Sequence, residues 1–263
     1  MMKRFFVIAL FVLGLGQLYA QPVRDTAWTK AGYFGLKLTQ VSLSSWSAGG
    51  ESALAFDSQI TYSADFKRDR QLWQNRLELG YGLTKNDGKS ARKTNDKIYF
   101  ASTYGYQIYK TLYWSALLNF NTQFAKGYDY NIEDSDFISK FMAPGYLMIG
   151  TGVTWSPNKI FTATFTPASW RGTIVADSRL ADEGAFGVDK GKHLLSEFGA
   201  NLKAEVNYEF LPNMKVYSRL ELYSNYLEDP QNVDVRWEVQ LNMAINKWFS
   251  TTLSTNLLYD NDV

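Results

Sequence analysis

The chain has 263 residues, and its 27 lysines and arginines nearly balance 26 aspartates and glutamates. That balance offers no electrostatic case for a nucleic acid or for a polybasic membrane patch. Cysteine is absent, which excludes disulfides, thiolate metal sites and thiol nucleophiles, so stability has to come from burial and strand pairing.

At the N-terminus Lys3 and Arg4 precede an apolar run from Phe5 to Leu15, and Ala20 offers a cleavage point. This is the pattern of an export signal. Gly14, Gly16 and Gln17 interrupt the run short of the roughly 18 to 20 apolar residues that a membrane helix needs. Residues 1–20 therefore read as a cleaved signal peptide, 21–32 as a periplasmic N-terminal segment and 33–263 as a single all-β domain.

A weak strand opens the domain from Tyr33 to Leu43. The next stretch, Leu54 to Phe66, sets Leu54, Phe56, Ile60, Tyr62 and Phe66 on one face against Asp57, Gln59, Thr61 and Asp65 on the other. A period of two is the signature of a strand. The alternation returns around Trp73, Leu77, Leu79, Tyr81 and Leu83, with Asn75 alone spoiling the apolar face. Further copies run through Ile98–Ile108, Leu112–Phe124, Leu147–Trp155, Phe161–Pro167, Leu194–Phe210, Val216–Tyr226, Val233–Ile245 and Phe249–Tyr259. About eleven strands are expected.

Length decides which way the apolar face points. Strands of soluble proteins usually run about 5 to 6 residues, whereas tilted membrane-spanning strands need about 9 to 11. From Leu194 to Phe210 the apolar face carries no charge, while Glu197, Lys203, Glu205 and Glu209 share the other. A charge held against lipid at the midplane costs about 2 to 4 kcal/mol, so the charged face is expected to line a lumen. A soluble sandwich with one solvated face is the competing arrangement. The mean hydropathy of −0.26 suits both.

Connections alternate as well. Short turns fall near 67–70, 109–111, 156–159, 211–213 and 246–247, and longer ones near 46–51, 86–96, 126–145, 171–193 and 227–232. Outer-membrane barrels have short periplasmic turns and long outer loops, which places the N-terminus in the periplasm. Trp73, Trp114, Trp155 and Trp248 then fall beside short turns, as an inner aromatic girdle requires, and Trp46 and Trp170 lie at the outer rim. Eleven is odd where such barrels close with even numbers, so a parent of twelve strands is expected. The fold expected is thus an antiparallel up-and-down transmembrane β-barrel in the outer membrane of a Gram-negative bacterium.

Several dispersed runs carry a resemblance. They are Ser45-Trp46-Ser47-Ala48-Gly49-Gly50-Glu51-Ser52, Ser156-Pro157-Asn158-Lys159 leading to Pro167, Gly184-Ala185-Phe186-Gly187-Val188, and Asp234 to Trp237 followed by Asn246-Lys247 and Tyr259-Asp260. In these the chain resembles an uncharacterised family of Bacteroidota outer-membrane proteins, domain of unknown function 3078, over nearly all of the mature chain. The resemblance implies a barrel and no established activity.

The expected lumen crowds opposed charges: Arg76 and Glu78, Lys203 and Glu205, Arg219 and Glu221, and Asp234, Arg236 and Glu238. Such residues serve either as an ion-selective constriction, giving a porin-like channel for small hydrophilic solutes, or as ion pairs filling a non-conducting structural or complex-forming barrel. Trp46 to Gly50 reads first as a turn. Asp129, Asn131, Glu133, Asp134 and Asp136 present oxygens at alternate positions, yet lack the glycine and distal glutamate of an EF-hand, and read as a solvated acidic loop. His193, the only histidine, lies near Ser196 and Asp189, so a hydrolase remains the least supported alternative. No cofactor, metal or nucleic acid is expected. The partners implied are outer-membrane lipid, lipopolysaccharide and the barrel assembly machinery during insertion.

Overall fold

The computed structural model describes residues 27–43, 50–132, 136–246 and 249–259. Residues 1–26, with the expected export signal, and Trp46, Glu133, Asp134, Lys247, Trp248 and residues 260–263 lie outside the described residues.

Eleven strands make one antiparallel sheet in which each pairs with the next along the chain. They are β1 (Trp28–Val41), β2 (Ala53–Arg68), β3 (Gln71–Asn86), β4 (Arg92–Tyr109), β5 (Leu112–Thr122), β8 (Gly145–Trp155), β9 (Phe161–Ile174), β10 (Leu194–Leu211), β11 (Met214–Asn225), β12 (Val233–Ala244) and β13 (Ser250–Tyr259). A two-stranded ribbon, β6 (Gly127–Tyr128) with β7 (Phe137–Ser139), stands apart in the β5–β8 connection. The strand count matches the alternation, but three boundaries move by five residues or more. β1 begins at Trp28 rather than Tyr33, where its ladder to Phe66 and Asp65 holds a stretch with no apolar face of its own. β4 begins at Arg92 rather than Ile98. β9 continues past Pro167 to Ile174, because the proline falls in a register shift where its missing N–H costs no ladder bond.

Polarity is inverted relative to a soluble domain. Along β10 the side chains of Leu194, Phe198, Leu202, Tyr208 and Phe210 are exposed, while Glu197 and Asn201 on the opposite face are buried. On β1, Phe34, Leu36 and Leu38 are 65, 61 and 68% exposed. Within the sheet Tyr223 is the only buried apolar side chain among the described residues, whereas Ser115, Thr164, Thr166, Ser169 and Thr173 are buried. Leaving a large apolar side chain exposed to water forfeits about 1.5–3 kcal/mol, so this arrangement is stable only if the apolar face meets something other than water.

Polar groups on the apolar face are matched to one another. The Trp73 indole N–H donates to Ser102 Oγ (2.9 Å), Ser102 donates to Asn75 Oδ1 (2.8 Å), and Asn75 Nδ2 donates to the Ala64 carbonyl (3.1 Å). Asn75, the residue that broke the alternation, is thus one member of a satisfied relay. The same diagonal indole-to-serine bond recurs between Trp170 and Ser196 (2.6 Å) and between Trp237 and Ser218 (3.0 Å). Ser102→Ala strands the indole N–H and one lone-pair site of Asn75. It should cost about 1–3 kcal/mol in urea unfolding of the folded chain, with Ser102→Thr retaining most of the stability.

At one end of the sheet the long β5–β8 and β9–β10 connections pack on each other. Ala143, Val175, Leu180, Ala181 and Val188 form a small apolar core flanked by Phe137, Ala185, Phe186 and Leu195. Helix α1 (Ser178–Glu183) starts because Asp177 Oδ1 accepts from the Leu180 amide (3.0 Å) and stops because Gly184 adopts a left-handed conformation (φ 77°). Arg179 donates to the Phe137 carbonyl and lies 4.5 Å from that ring's centroid. Lys140 bonds Asp177 at 2.5 Å and, with the Leu180 amide, holds its carboxyl below the usual carboxylate range. A depressed folded-state pKa makes this contribution present above the ordinary carboxylate pKa, to be lost as pH falls through the lowered value. The hydrogen-exchange protection factor at Leu180, taken against the intrinsic rate at each pH, should therefore be higher at neutral pH and fall in acid, and Asp177→Ala should show the low value at every pH.

Candidate functional site

Strand register puts Arg76, Glu78, Lys203, Glu205, Arg219, Glu221, Asp234, Arg236 and Glu238 on the polar face, the one opposite Trp73, Trp114 and Trp155. Those three tryptophans are exposed beside short turns, and Trp28 joins them, its ring 5.3 Å from Phe66 and 5.8 Å from Trp73. Trp28 went unassigned in the sequence because the strand that carries it begins earlier than the alternation shows.

The charges assemble into three clusters. Around Glu78, Arg76 and Lys97 each approach to 2.5 Å. Around Arg219, Nε donates to Glu205 (3.0 Å) and Nη1 to Glu238 (3.4 Å), while the Tyr217 hydroxyl also donates to Glu205 (3.0 Å) and Lys203 lies 3.7 Å from it. The third centres on Arg171, whose Nε donates to Glu197 (2.7 Å) and Nη1 to Asp234 (3.1 Å) with its guanidinium 4.0 Å from the Tyr223 ring centroid. Glu221 and Arg236 face each other directly in the β11–β12 register, and no ion pair joins them among the described residues.

Arg171 corrects the sequence reading, which began an outer loop there. Pro167 interrupts the alternation, but the strand resumes beyond the bulge and delivers Arg171 to the polar face beside Glu197. Lys97, Tyr99, Tyr217 and Tyr223 also belong to this face and were not singled out. Tyrosine counts as apolar in a two-letter pattern, so its hydroxyl leaves no trace in the alternation.

The sheet curls around this face. β9 and β12 are three ladder steps apart, about 14 Å in a flat sheet, yet Arg171 and Asp234 meet at 3.1 Å. β4 and β11 are five steps apart, about 24 Å when flat, yet the Tyr99 hydroxyl is within electrostatic reach of Arg219 and Glu221. Tyr146 on β8 is likewise within reach of Arg236 on β12. The polar face is therefore concave. Its solvent exposure is uneven: Thr166, Ser169 and Asn201 are sealed at 0, 0 and 3%, while the side chains of Arg76, Lys97 and Glu238 are 55, 47 and 45% exposed. Close strand contact accompanies the sealed part, where a Cβ on Gly199 would come within 2.0 Å of the Ser224 carbonyl oxygen.

Each of the three residues considered for hydrolysis has a partner outside the trio. His193 Nδ1 lies 2.7 Å from the Val175 carbonyl, Ser196 Oγ accepts from Trp170, and Asp189 pairs with Lys192 at 2.7 Å. In the acidic loop Asp129 Oδ1 accepts from the Asn131 amide (2.9 Å).

The class defined by these features is an all-β protein built as an eleven-stranded antiparallel meander with its polar side chains inside the curl and its apolar ones outside. Residues 38–128 match a family described as a protein of unknown function (DUF3078), and residues 171–263 match a second described as a protein of unknown function, DUF481. The resemblance to the first was expected over nearly all of the mature chain. It covers the run from Ser45 to Ser52, while Gly184–Val188 and Asp234–Trp237 fall in the second match and Ser156–Lys159 in neither. A comparison with curated proteins gives no match.

Proposed function

We propose that the chain is a membrane-spanning β-barrel of the outer membrane whose polar interior forms a narrow passage for small hydrophilic solutes. The inverted burial carries this reading: a sheet that seals serine, threonine and glutamate inside and exposes leucine and phenylalanine outside is stable in hydrocarbon and unstable in water. The strands supply the required span, with lengths from 10 to 18 residues against the roughly 9 to 11 that cross a bilayer. No helix among the described residues is long and apolar enough to cross a membrane. The first and last strands of the sheet run in the same direction, so antiparallel closure takes one intervening strand, and hydrocarbon penalises any unpaired backbone edge.

Within the barrel Arg76, Lys97, Arg236 and Glu238 are water-accessible charges, and Tyr99 lies within electrostatic reach of Arg219 and Glu221 across the curl. In planar bilayers the closed barrel should conduct in discrete steps. Arg219→Gln should move selectivity toward cations, since removing a fixed positive charge lowers the barrier they meet. The sealing of Thr166, Ser169 and Asn201 favours a second reading, a filled barrel serving envelope structure or a protein complex. Silent bilayers containing demonstrably folded protein would establish that second reading and exclude the passage.

A further inference from the structure

The two ends of the sheet differ in charge. In the short turns, residues 67–70, 109–111, 156–160 and 212–213, the cations are Lys67, Arg68, Arg70, Lys110 and Lys159, and the one carboxylate is Asp69. Carboxylates prevail in the long connections at the other end, among them Asp87, Asp129, Asp182, Glu183 and Glu228.

Two of the basic turns are fastened together. The Gln107 amide donates to the Arg70 carbonyl (2.7 Å), and Arg70 Nε donates back to the Gln107 carbonyl (2.8 Å), with Nη2 reaching Ile108 (3.4 Å). Gln107 Nε2 in turn donates to the Lys110 carbonyl, which ties down the next turn. Arg70 thereby sits 5.2 Å from the Tyr106 centroid with most of its five N–H donors still free to bind an anion. Lys110 sits 5.3 Å from the Tyr109 centroid. Below them on the outward face Tyr106, Ile108 and Trp114 are exposed. A held guanidinium and a lysine on the adjoining turn, at the edge of an apolar and aromatic surface, complement a molecule with an anionic head and an apolar tail.

We infer that this corner binds an anionic phospholipid of the periplasmic leaflet, the headgroup phosphate between Arg70 and Lys110 and the upper acyl chain against Tyr106, Ile108 and Trp114. The inference rests on the membrane reading above. It is tested by refolding the full chain into phosphatidylcholine vesicles with or without phosphatidylglycerol, using brominated acyl chains on one lipid or the other as quenchers of tryptophan fluorescence. Brominated phosphatidylglycerol should quench more than brominated phosphatidylcholine at equal mole fraction. Arg70→Gln with Lys110→Gln should abolish the difference, each cation contributing about fivefold in lipid preference, while Lys190→Gln with Lys192→Gln at the opposite end should leave it intact. Lys110→Gln alone, which disturbs only the Tyr109 ring contact, should weaken the preference even if the double variant folds poorly. Insertion with equal quenching by both lipids, or an equal effect of the two double variants, would overturn the headgroup site and leave the barrel standing. Failure to insert into any vesicle would overturn both.

Discussion

Leu202→Arg should abolish most insertion into phosphatidylcholine vesicles, whereas Lys203→Leu should leave it nearly unchanged. The two residues are neighbours on β10 and point to opposite faces: Leu202 lies opposite Phe165 and Leu222 in register, and Lys203 lies opposite Thr164 and Glu221. An arginine at Leu202 presents a charge to hydrocarbon midway along a spanning strand, where the cost is about 2–4 kcal/mol. Removing the Lys203 ammonium forfeits a long 3.7 Å contact to Glu205, which keeps its bonds from Arg219 and Tyr217. A contact this long between half-buried side chains contributes about 0–1 kcal/mol. The folded fraction read by heat-modifiable gel migration measures both variants. Equal losses would mean that the faces are assigned the wrong way round.

Arg171→Met should be the most destabilising single change on the polar face. Glu197 is 7% exposed, and Arg171 holds it through two donors while bridging to Asp234 two strands further on. Taking one partner from a buried ion pair leaves an uncompensated charge, which costs about 3–5 kcal/mol. The double variant Arg171→Met with Glu197→Met removes both charges from that pair and should recover most of the loss, because a packed apolar substitute for a buried pair is close to neutral. Urea unfolding of the four proteins in one lipid composition gives the coupling directly. Additive losses would show that Arg171 and Glu197 do not act as a pair.

The strand count, the two faces and the alternating connection lengths were legible in the sequence because membrane-length strands repeat a period-two pattern long enough to be unmistakable from Leu54 to Phe66 and from Leu194 to Phe210. The candidate site was legible only in part. Its charged members announced themselves by breaking an apolar alternation, as Lys203 and Glu205 do, but their partners depend on curvature that no local pattern encodes. Arg171 was hidden behind Pro167, whose effect on a strand depends on whether a bulge absorbs it. The packed connections were invisible for a different reason. Ala143 comes from one connection and Val175, Leu180 and Val188 from another, and their common core exists only once β8, β9 and β10 bring those two connections together.

The central claim is that the polar face looks inward and the apolar face meets lipid. Nitroxide labels placed singly at residues 201 to 206 of β10, in protein inserted into vesicles, test it most directly. Labels at 202, 204 and 206 should collide with oxygen dissolved in the bilayer, and those at 201, 203 and 205 should not, giving a period of two in phase with Leu202. Uniform access of a water-soluble nickel complex to 202, 204 and 206 would contradict the account.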